Sequence, residues 1–285
     1  MRNNGVEIDL RGEIIRKKDF SWNIYANITT NHNEVTKLPE ERKTQLMDGY
    51  MGYASGGYFF AEGLSAYTRY GQKYAGVDPE TGQSLWWKTV NDYETDENGE
   101  TVLVGSHREK TANYGDATDY ILGDALPDFY GGFGTSLQWK GLDFSIDFQY
   151  QIGGYVYDSG YAGLMGCNPG KAMHQDLLKA WTTENTHTDV PRFQYNDATM
   201  ASMSDRFYTN ASYLTLSNIT LGYTLPSKWV NQLKIENVRF YVVADNIWTW
   251  SKRQGLDPRQ SITGSNSAEL YRSLRTVSGG IRLSF

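Results

Sequence analysis

The sequence predicts an all-β protein: an antiparallel up-and-down sheet of about nine strands, of the kind that curves into a transmembrane barrel. Three observations predict it. Apolar and polar residues alternate with period two in one segment after another. Short and long connections take turns along the chain. Trp and Tyr gather near the segment ends, where a membrane barrel carries its aromatic girdles.

Composition narrows the alternatives. Glycine supplies 29 of 285 residues, about a tenth, above the ordinary level. Aromatics reach 14% and charged residues only 21%, which excludes a disordered chain. No run approaches the ~20 apolar residues of a helical span. A barrel strand needs no such run, being apolar on one side only. The net charge is −6 and the basic residues are scattered, which argues against nucleic acid as a partner. Cys167 stands alone, so an internal disulfide framework and a multi-Cys zinc site are excluded. Beside Gly166, Asn168 and Pro169 it reads as a loop thiol. Residues 1–18 lack the apolar stretch and cleavage site of a signal peptide. They read at once as a strand, and the expectation is a piece of a longer protein.

The first strand carries Val6, Ile8, Leu10, Gly12 and Ile14 on one face and Glu7, Asp9, Arg11 and Glu13 on the other. A turn at Lys17, Lys18 and Asp19 leads to Phe20, Trp22, Ile24, Ala26 and Ile28, opposed by Ser21, Asn23, Tyr25, Asn27 and Thr29. Leu64, Ala66, Thr68, Tyr70 and Tyr74 predict a further strand, Asp78-Pro79-Glu80-Thr81-Gly82 a turn, and residues 84–90 its return. Phe129, Gly131, Phe133, Thr135, Leu137 and Trp139 follow, then a tight turn at Lys140–Gly141. Leu142, Phe144, Ile146, Phe148 and Tyr150 return against Asp143, Ser145, Asp147, Gln149 and Gln151. Ile219, Leu221, Tyr223 and Leu225 run into Pro226, which ends that strand. Leu214 and Leu216 fall in the opposite phase, so a bulge is expected near Ser217–Asn218. Val238, Phe240, Val242, Ala244 and Trp248 oppose Arg239, Tyr241 and Asp245; Val277, Gly279, Ile281, Leu283 and Phe285 close the chain.

Short links are expected near 17–19, 78–82, 140–141 and 226–234, and long ones near 33–57, 91–127, 153–211 and 250–273. Strand pattern alone fits a soluble β-sandwich as well as a membrane barrel, since both bury one face. The loop asymmetry, the aromatics at strand ends (Trp22, Trp86, Trp87, Trp139, Tyr223, Trp248, Trp250) and the terminal Phe285 favour the barrel.

Specific stretches then resemble a family. They are 74–82 (YAGVDPETG), 121–127 (ILGDALP) running into Tyr130-Gly131-Gly132-Phe133, and 212–226, with Asn218-Ile219-Thr220-Leu221-Gly222-Tyr223-Thr224-Leu225-Pro226. Asp245-Asn246-Ile247-Trp248-Thr249-Trp250 follows, then Gly255-Leu256-Asp257-Pro258, with Trp181-Thr182-Thr183-Glu184-Asn185 and Pro191-Arg192 between. In this order they are similar to the C-terminal part of the SusC/RagA-like TonB-linked outer-membrane transporters of Bacteroidetes, over residues 70–285. The resemblance implies that residues 1–285 are the last part of a 22-stranded transmembrane β-barrel, without the plug domain and TonB box. It implies uptake of glycan or peptide nutrients across the cell outer membrane. The implied partners are a SusD-like surface lipoprotein, TonB through the absent N-terminal region, outer-membrane lipid and an oligosaccharide or peptide substrate. The chain alone is then expected to be an incomplete, inactive transporter, because its sheet edges and apolar face would be bare.

No catalytic constellation is expected, and no cofactor or metal. His32, His107, His174 and His187 lack metal-ligand spacing. Asp92, Glu94, Asp96, Asn98 and Glu100 alternate around an Asn-Gly turn, but the glycine is misplaced for a calcium loop, and a solvated hairpin is expected. Gly131-Gly132-Phe133-Gly134 lacks what a phosphate loop requires. Residues 174–181 (HQDLLKAW) predict a short helical patch with Leu177, Leu178 and Trp181 on one side, packing down a long loop. Tyr155, Tyr157 and Tyr161, near a strand end on the same loop, are the candidate substrate contacts. Glu7, Asp9, Arg11, Glu13, Asp143, Asp147 and Arg282 are expected to face the aqueous interior. Two other readings are a soluble extracellular carbohydrate-binding β-module and a glycoside hydrolase, the latter requiring two facing carboxylates.

Overall fold

The computed structural model describes residues 1–98, 100–167, 169–230, 235–264 and 272–285. Gly99 of the Asn-Gly turn, Asn168 beside Cys167 and parts of the 226–234 and 250–273 connections lie outside the described residues. The alternating segments form one seven-stranded sheet: β1 (Arg2–Lys17), β2 (Phe20–Glu34), β3 (Phe129–Trp139), β4 (Leu142–Ile152), β5 (Tyr213–Thr224), β6 (Asn237–Ser251) and β7 (Thr276–Ser284). Each strand pairs antiparallel with the one before it. This is the expected up-and-down order.

Seven of the expected nine strands lie in this wall. The segments at 64–77 and 84–90 do form strands, but in other sheets, and β2 pairs directly with β3. Alternation marks a half-buried strand without saying which sheet buries it. Because the two absentees are a pair, the direction of every later strand is unchanged. The expected links at 33–57 and 91–127 merge into one long connection, residues 35–128.

Register makes the faces continuous. One row across the sheet reads Gly12, Ile24, Thr135, Ile146, Ile219, Ala244 and Val277; another reads Trp22, Leu137, Phe144, Leu221, Val242 and Gly279. Phe133 and Phe148 stack within this face, ring centroids 5.0 Å apart, the kind of cross-strand pair that pins register. The apolar face has no second layer over it: Val6, Leu10, Phe240, Val242, Val277 and Ile281 are all exposed. A sandwich would bury these rows between sheets. Here a single sheet leaves them open, as lipid-facing strands do.

The opposite face is polar and internally bonded. Arg11, Tyr25, Gly134, Asp147, Asn218 and Asp245 form one row. The Tyr25 hydroxyl donates to Asp147 Oδ1 at 2.8 Å, and Asn218 Nδ2 donates to Asp245 at 2.7 Å. Gly134 makes the first bond possible, since a Cβ there would lie 2.6 Å from the Tyr25 ring and 2.5 Å from the carboxylate. Asp143 takes a bidentate bond from Arg239 on the same face. Glu7, Asp9 and Glu13 share this side through their partners Thr29, Asn27 and Asn23, and Arg282 through Arg239.

In β1 the register shifts between Glu13 and Ile15, so that Ile15, and not the expected Ile14, stands opposite Trp22, while the irregularity in β5 falls where residue phase requires it. Ser217 is the extra residue of a bulge between Leu216 and Asn218, and its hydroxyl donates to the Asp147 carbonyl at 2.9 Å. The bulge moves Leu214 and Leu216 onto the apolar face. Lys140 and Gly141, both at positive φ, close the β3–β4 turn. On the outer face the Trp22 indole donates to Thr135 Oγ1 at 2.7 Å, so its polar edge is satisfied without water.

The two faces should differ sharply under charge insertion. With the protein in lipid vesicles, Ile146→Arg on the apolar row is expected to cost about 2–4 kcal/mol, and Ser145→Arg on the polar face less than about 1 kcal/mol. Denaturant unfolding measures both; equal costs would mean that the apolar row does not meet lipid.

Candidate functional site

The three long connections, 35–128, 153–212 and 252–275, leave the same rim of the sheet and build a cap there. The first contributes a five-stranded sheet (Gln45–Met47, Tyr50–Ser55, Tyr58–Ala61, Thr68–Gln72, Asp119–Asp124) and a three-stranded one (Tyr74–Val77, Ser84–Thr95, Thr101–Thr111). The second adds the pair Tyr155–Tyr157 and Tyr208–Asn210 and a short helix, Ser159–Leu164. The cap has its own small cores. Ala162, Met165, Ala180, Val190 and Phe207 form one, and Met47, Phe59 and Ala61 another. The dry packing of this chain therefore lies mainly in its loops, whereas the apolar face of the wall has no layer over it.

Loops that belong to different connections are joined by hydrogen bonds, an ion pair and a cation over a ring. Tyr58 Oη and Arg69 Nη2 both donate to the Thr263 carbonyl at 2.8 Å, joining the first loop to the third. The Tyr74 amide donates to Asp205 at 2.8 Å, and Tyr114 Oη to the Met203 carbonyl at 2.8 Å, joining the first to the second. Arg253 reaches Asp158 at 3.4 Å and lies over the Tyr161 ring at 4.1 Å, joining third to second.

The turn at 78–82 shows why its residue types matter. Asp78 accepts from the Glu80 amide at 2.9 Å and the Thr81 hydroxyl at 2.8 Å, which holds its carboxyl below the usual range. Gly82 has φ +71, and a Cβ there would lie 2.5 Å from the Trp181 ring. The Trp181 indole donates to the Pro79 carbonyl at 3.0 Å, and the Arg192 amide to the Gly82 carbonyl at 2.8 Å. Three stretches that carried the resemblance (74–82, 181–185 and 191–192) thus meet at one turn.

The three candidate tyrosines lie in one neighbourhood with different surroundings. Tyr157 packs on Tyr208, centroids 5.2 Å apart, and on Phe207. Tyr161 packs edge-on to His174 at 4.7 Å, and its hydroxyl donates to Asp176 at 3.0 Å. Burial raises the pKa of both hydroxyls. Tyr155 lies across Gly123 and is 39% exposed, leaving ring surface for a ligand. Residues 174–181 form a 3-10 turn, Gln175–Lys179, not a broad helical face. Its tighter winding turns Leu177 and Ala180 inward and leaves Leu178 91% exposed.

Residue pattern did not point to the cations of the cap. Arg206 is half-buried over Tyr74 and Phe207, and desolvation lowers its pKa. Arg69 is 6% exposed, with its guanidinium 4.0 Å from the Tyr58 ring centroid. Tyr74 reaches Arg206 from a different loop, and Tyr58 meets Arg69 across neighbouring strands of one sheet, so neither contact follows from residue pattern. Among the described residues, no group of three or more His, Cys, Asp or Glu side chains is placed to hold a metal. Asp96 accepts from the Asn98 and Glu100 amides and shapes the hairpin turn.

No family model matches the chain. It is 28% identical to the TonB-dependent receptor SusC of Bacteroides thetaiotaomicron and 27% identical to TonB-dependent receptor P3 of Formosa agariphila, over its full length in both cases. The RagAB peptide transporter structure superposes on 99% of it, with TM-score 0.76 and 28% identity. The chain is homologous to the C-terminal part of SusC/RagA-like TonB-dependent receptors. It spans 26% of SusC, 29% of P3 and 29% of the matched RagAB chain. The RagAB importer in its "open-open" state matches nearly as well, with TM-score 0.74. The antiparallel wall corresponds to the β-barrel part of this SusC/RagA-like fold.

Two measurements test the cap. Gly82→Ala is expected to cost about 1–3 kcal/mol of local stability, through positive φ and the clash with Trp181. Faster hydrogen exchange at the Arg192 amide reads it. Asp257 is the second case: burial works against its charge, but bonds from Arg259 at 2.8 Å outweigh it and leave its pKa lowered. The stability this adds is complete above the ordinary carboxylate range and is lost as pH falls through the depressed folded value. Asp257→Asn should remove that acid dependence from local opening around 253–259.

Proposed function

We propose that this chain is the closing section of an outer-membrane TonB-dependent nutrient transporter: seven wall strands and three loops on the outer mouth of the barrel. The uncovered apolar face, continuous across seven registered strands, carries this reading. A face of that extent is stable only against lipid. The polar rows then line the aqueous interior, and the capped rim is extracellular.

A glycan or peptide nutrient is the substrate class. The cap is the surface that a SusD-like lipoprotein would cover, and TonB would act through an N-terminal region outside this chain. The role needs binding and release and no bond-making, so the protein is no enzyme and uses no cofactor. Tyr155, Tyr157 and Tyr161 form the substrate-facing aromatic group. Tyr155 offers its open ring, while Tyr157 and Tyr161 hold the strand pair and helix beneath it.

The test uses cells carrying the full-length receptor. Deletion of its gene should abolish growth on one class of oligosaccharide or peptide and leave monomer use intact. Tyr155→Ala should reduce uptake of that nutrient several-fold with the amount of receptor in the outer membrane unchanged. Unaltered growth after deletion would overturn the transport reading, and unaltered uptake by Tyr155→Ala the role of that ring.

A further inference from the structure

We propose that the outer rim of β6 and β7 holds the phosphate-bearing headgroup of an anionic membrane lipid. The inference rests on the barrel-wall reading given above. Alternation along β6 puts Trp248 and Trp250 on the apolar face, in register with Leu216 and Leu214, and they are 47% and 52% exposed. The next residue in that phase is Lys252, exposed just beyond the strand end. On the neighbouring strand, Arg275 continues the phase of Val277 and is also exposed. Arg272 lies against Gly255. These five side chains line one cavity of about 740 Å³.

Among the described residues, the charge in this cavity is unbalanced. Its lining holds one carboxylate, Asp257, and both of its oxygens are taken by Arg259 at 2.8 Å. Lys252, Arg272 and Arg275 make no ion pair among the described residues. Arg253, between Lys252 and the loop, turns instead to Asp158 and the Tyr161 ring. Three cations without an ion-pair partner among the described residues thus gather at one point of a chain whose net charge is −6.

Their position selects the ligand. The two indoles sit at the upper margin of the lipid-facing surface, where amphipathic rings meet headgroups. The cations stand one step further out, at headgroup level, and guanidinium pairs suit phosphate oxygens. A free anion would gain nothing from the two indoles. A water-soluble acidic protein could not reach a site whose lower half lies in hydrocarbon. A lipid with an anionic headgroup satisfies both halves together.

The test uses the full-length receptor in phosphatidylcholine vesicles with and without phosphatidylglycerol, and follows quenching of Trp fluorescence by brominated forms of each lipid. The native protein should show preferential quenching by brominated phosphatidylglycerol, and Trp248→Phe with Trp250→Phe should remove that preference. Lys252→Gln, Arg272→Gln and Arg275→Gln should each weaken it about fivefold. Flotation with the vesicles establishes insertion of every variant. Inserted native protein without a preference, or a preference unchanged in the triple variant, overturns the proposal. Loss of the preference in inorganic phosphate, but not in chloride of equal ionic strength, would make this a free-anion site and also overturn it. Native protein that fails to float with either vesicle would overturn the barrel-wall reading as well.

Discussion

A strand in hydrocarbon has no water to receive its N–H and C=O groups, so each must be paired with a neighbouring strand. On the barrel-wall reading proposed above, that constraint organises the wall of this chain. Once the ladders are complete, the only freedom left is which side chains stand on which face, and the two-residue period decides it. The bulge at Ser217 and the positive-φ turn at Lys140–Gly141 keep the ladders in step. They preserve the phase that makes Ile146, Ile219 and Ala244 neighbours on one surface and Asp147, Asn218 and Asp245 neighbours on the other.

Wall and cap solve different packing problems. The wall has no second layer over its apolar face, so its large apolar side chains are exposed, while its polar face is tied by Tyr25–Asp147 and Arg239–Asp143. The cap stands in water and must bury its own apolar residues. It does so in small clusters around Phe59 and Phe207, joined by hydrogen bonds to carbonyls and by cations laid over rings. The Tyr58 bond to the Thr263 carbonyl, the Tyr114 bond to the Met203 carbonyl and Arg253 over the Tyr161 ring run between segments far apart in sequence. The three loops therefore act as one surface, with Tyr155 open on it.

Stacking of Trp181 on Gly82 shows how motif residues separated by about a hundred positions depend on one another. The glycine provides the backbone angle and the space, the indole fills the space, and the Arg192 amide closes the contact. At the rim the same economy of position holds for Asn246. Its positive φ lets its side chain reach the Leu274 carbonyl at 3.4 Å and receive Arg259 at 3.2 Å. The Asp-Asn-Ile-Trp run is thereby tied to the Asp257–Arg259 pair.

Strand identity, the two faces, the Ser217 bulge, the tight turns and the likeness to the SusC/RagA-like receptors were legible in the residues, because each is a local matter of period, phase or turn chemistry. Residues 64–77 and 84–90 alternate as wall strands do, and nothing within them marks them as part of the cap. That was decided by β2 pairing directly with β3, a contact about a hundred residues apart. The surroundings of the three tyrosines were decided in the same way. Tyr157 and Tyr161 are packed because the Phe207 and His174 rings and the Arg253 guanidinium reach them, whereas Tyr155 meets Gly123, which has no side chain to cover its ring, and stays open. Period and turn chemistry act between adjacent residues and can be read along the chain; the choice of partner between loops depends on which segments the ladders bring to the same rim, which only the assembled sheet determines.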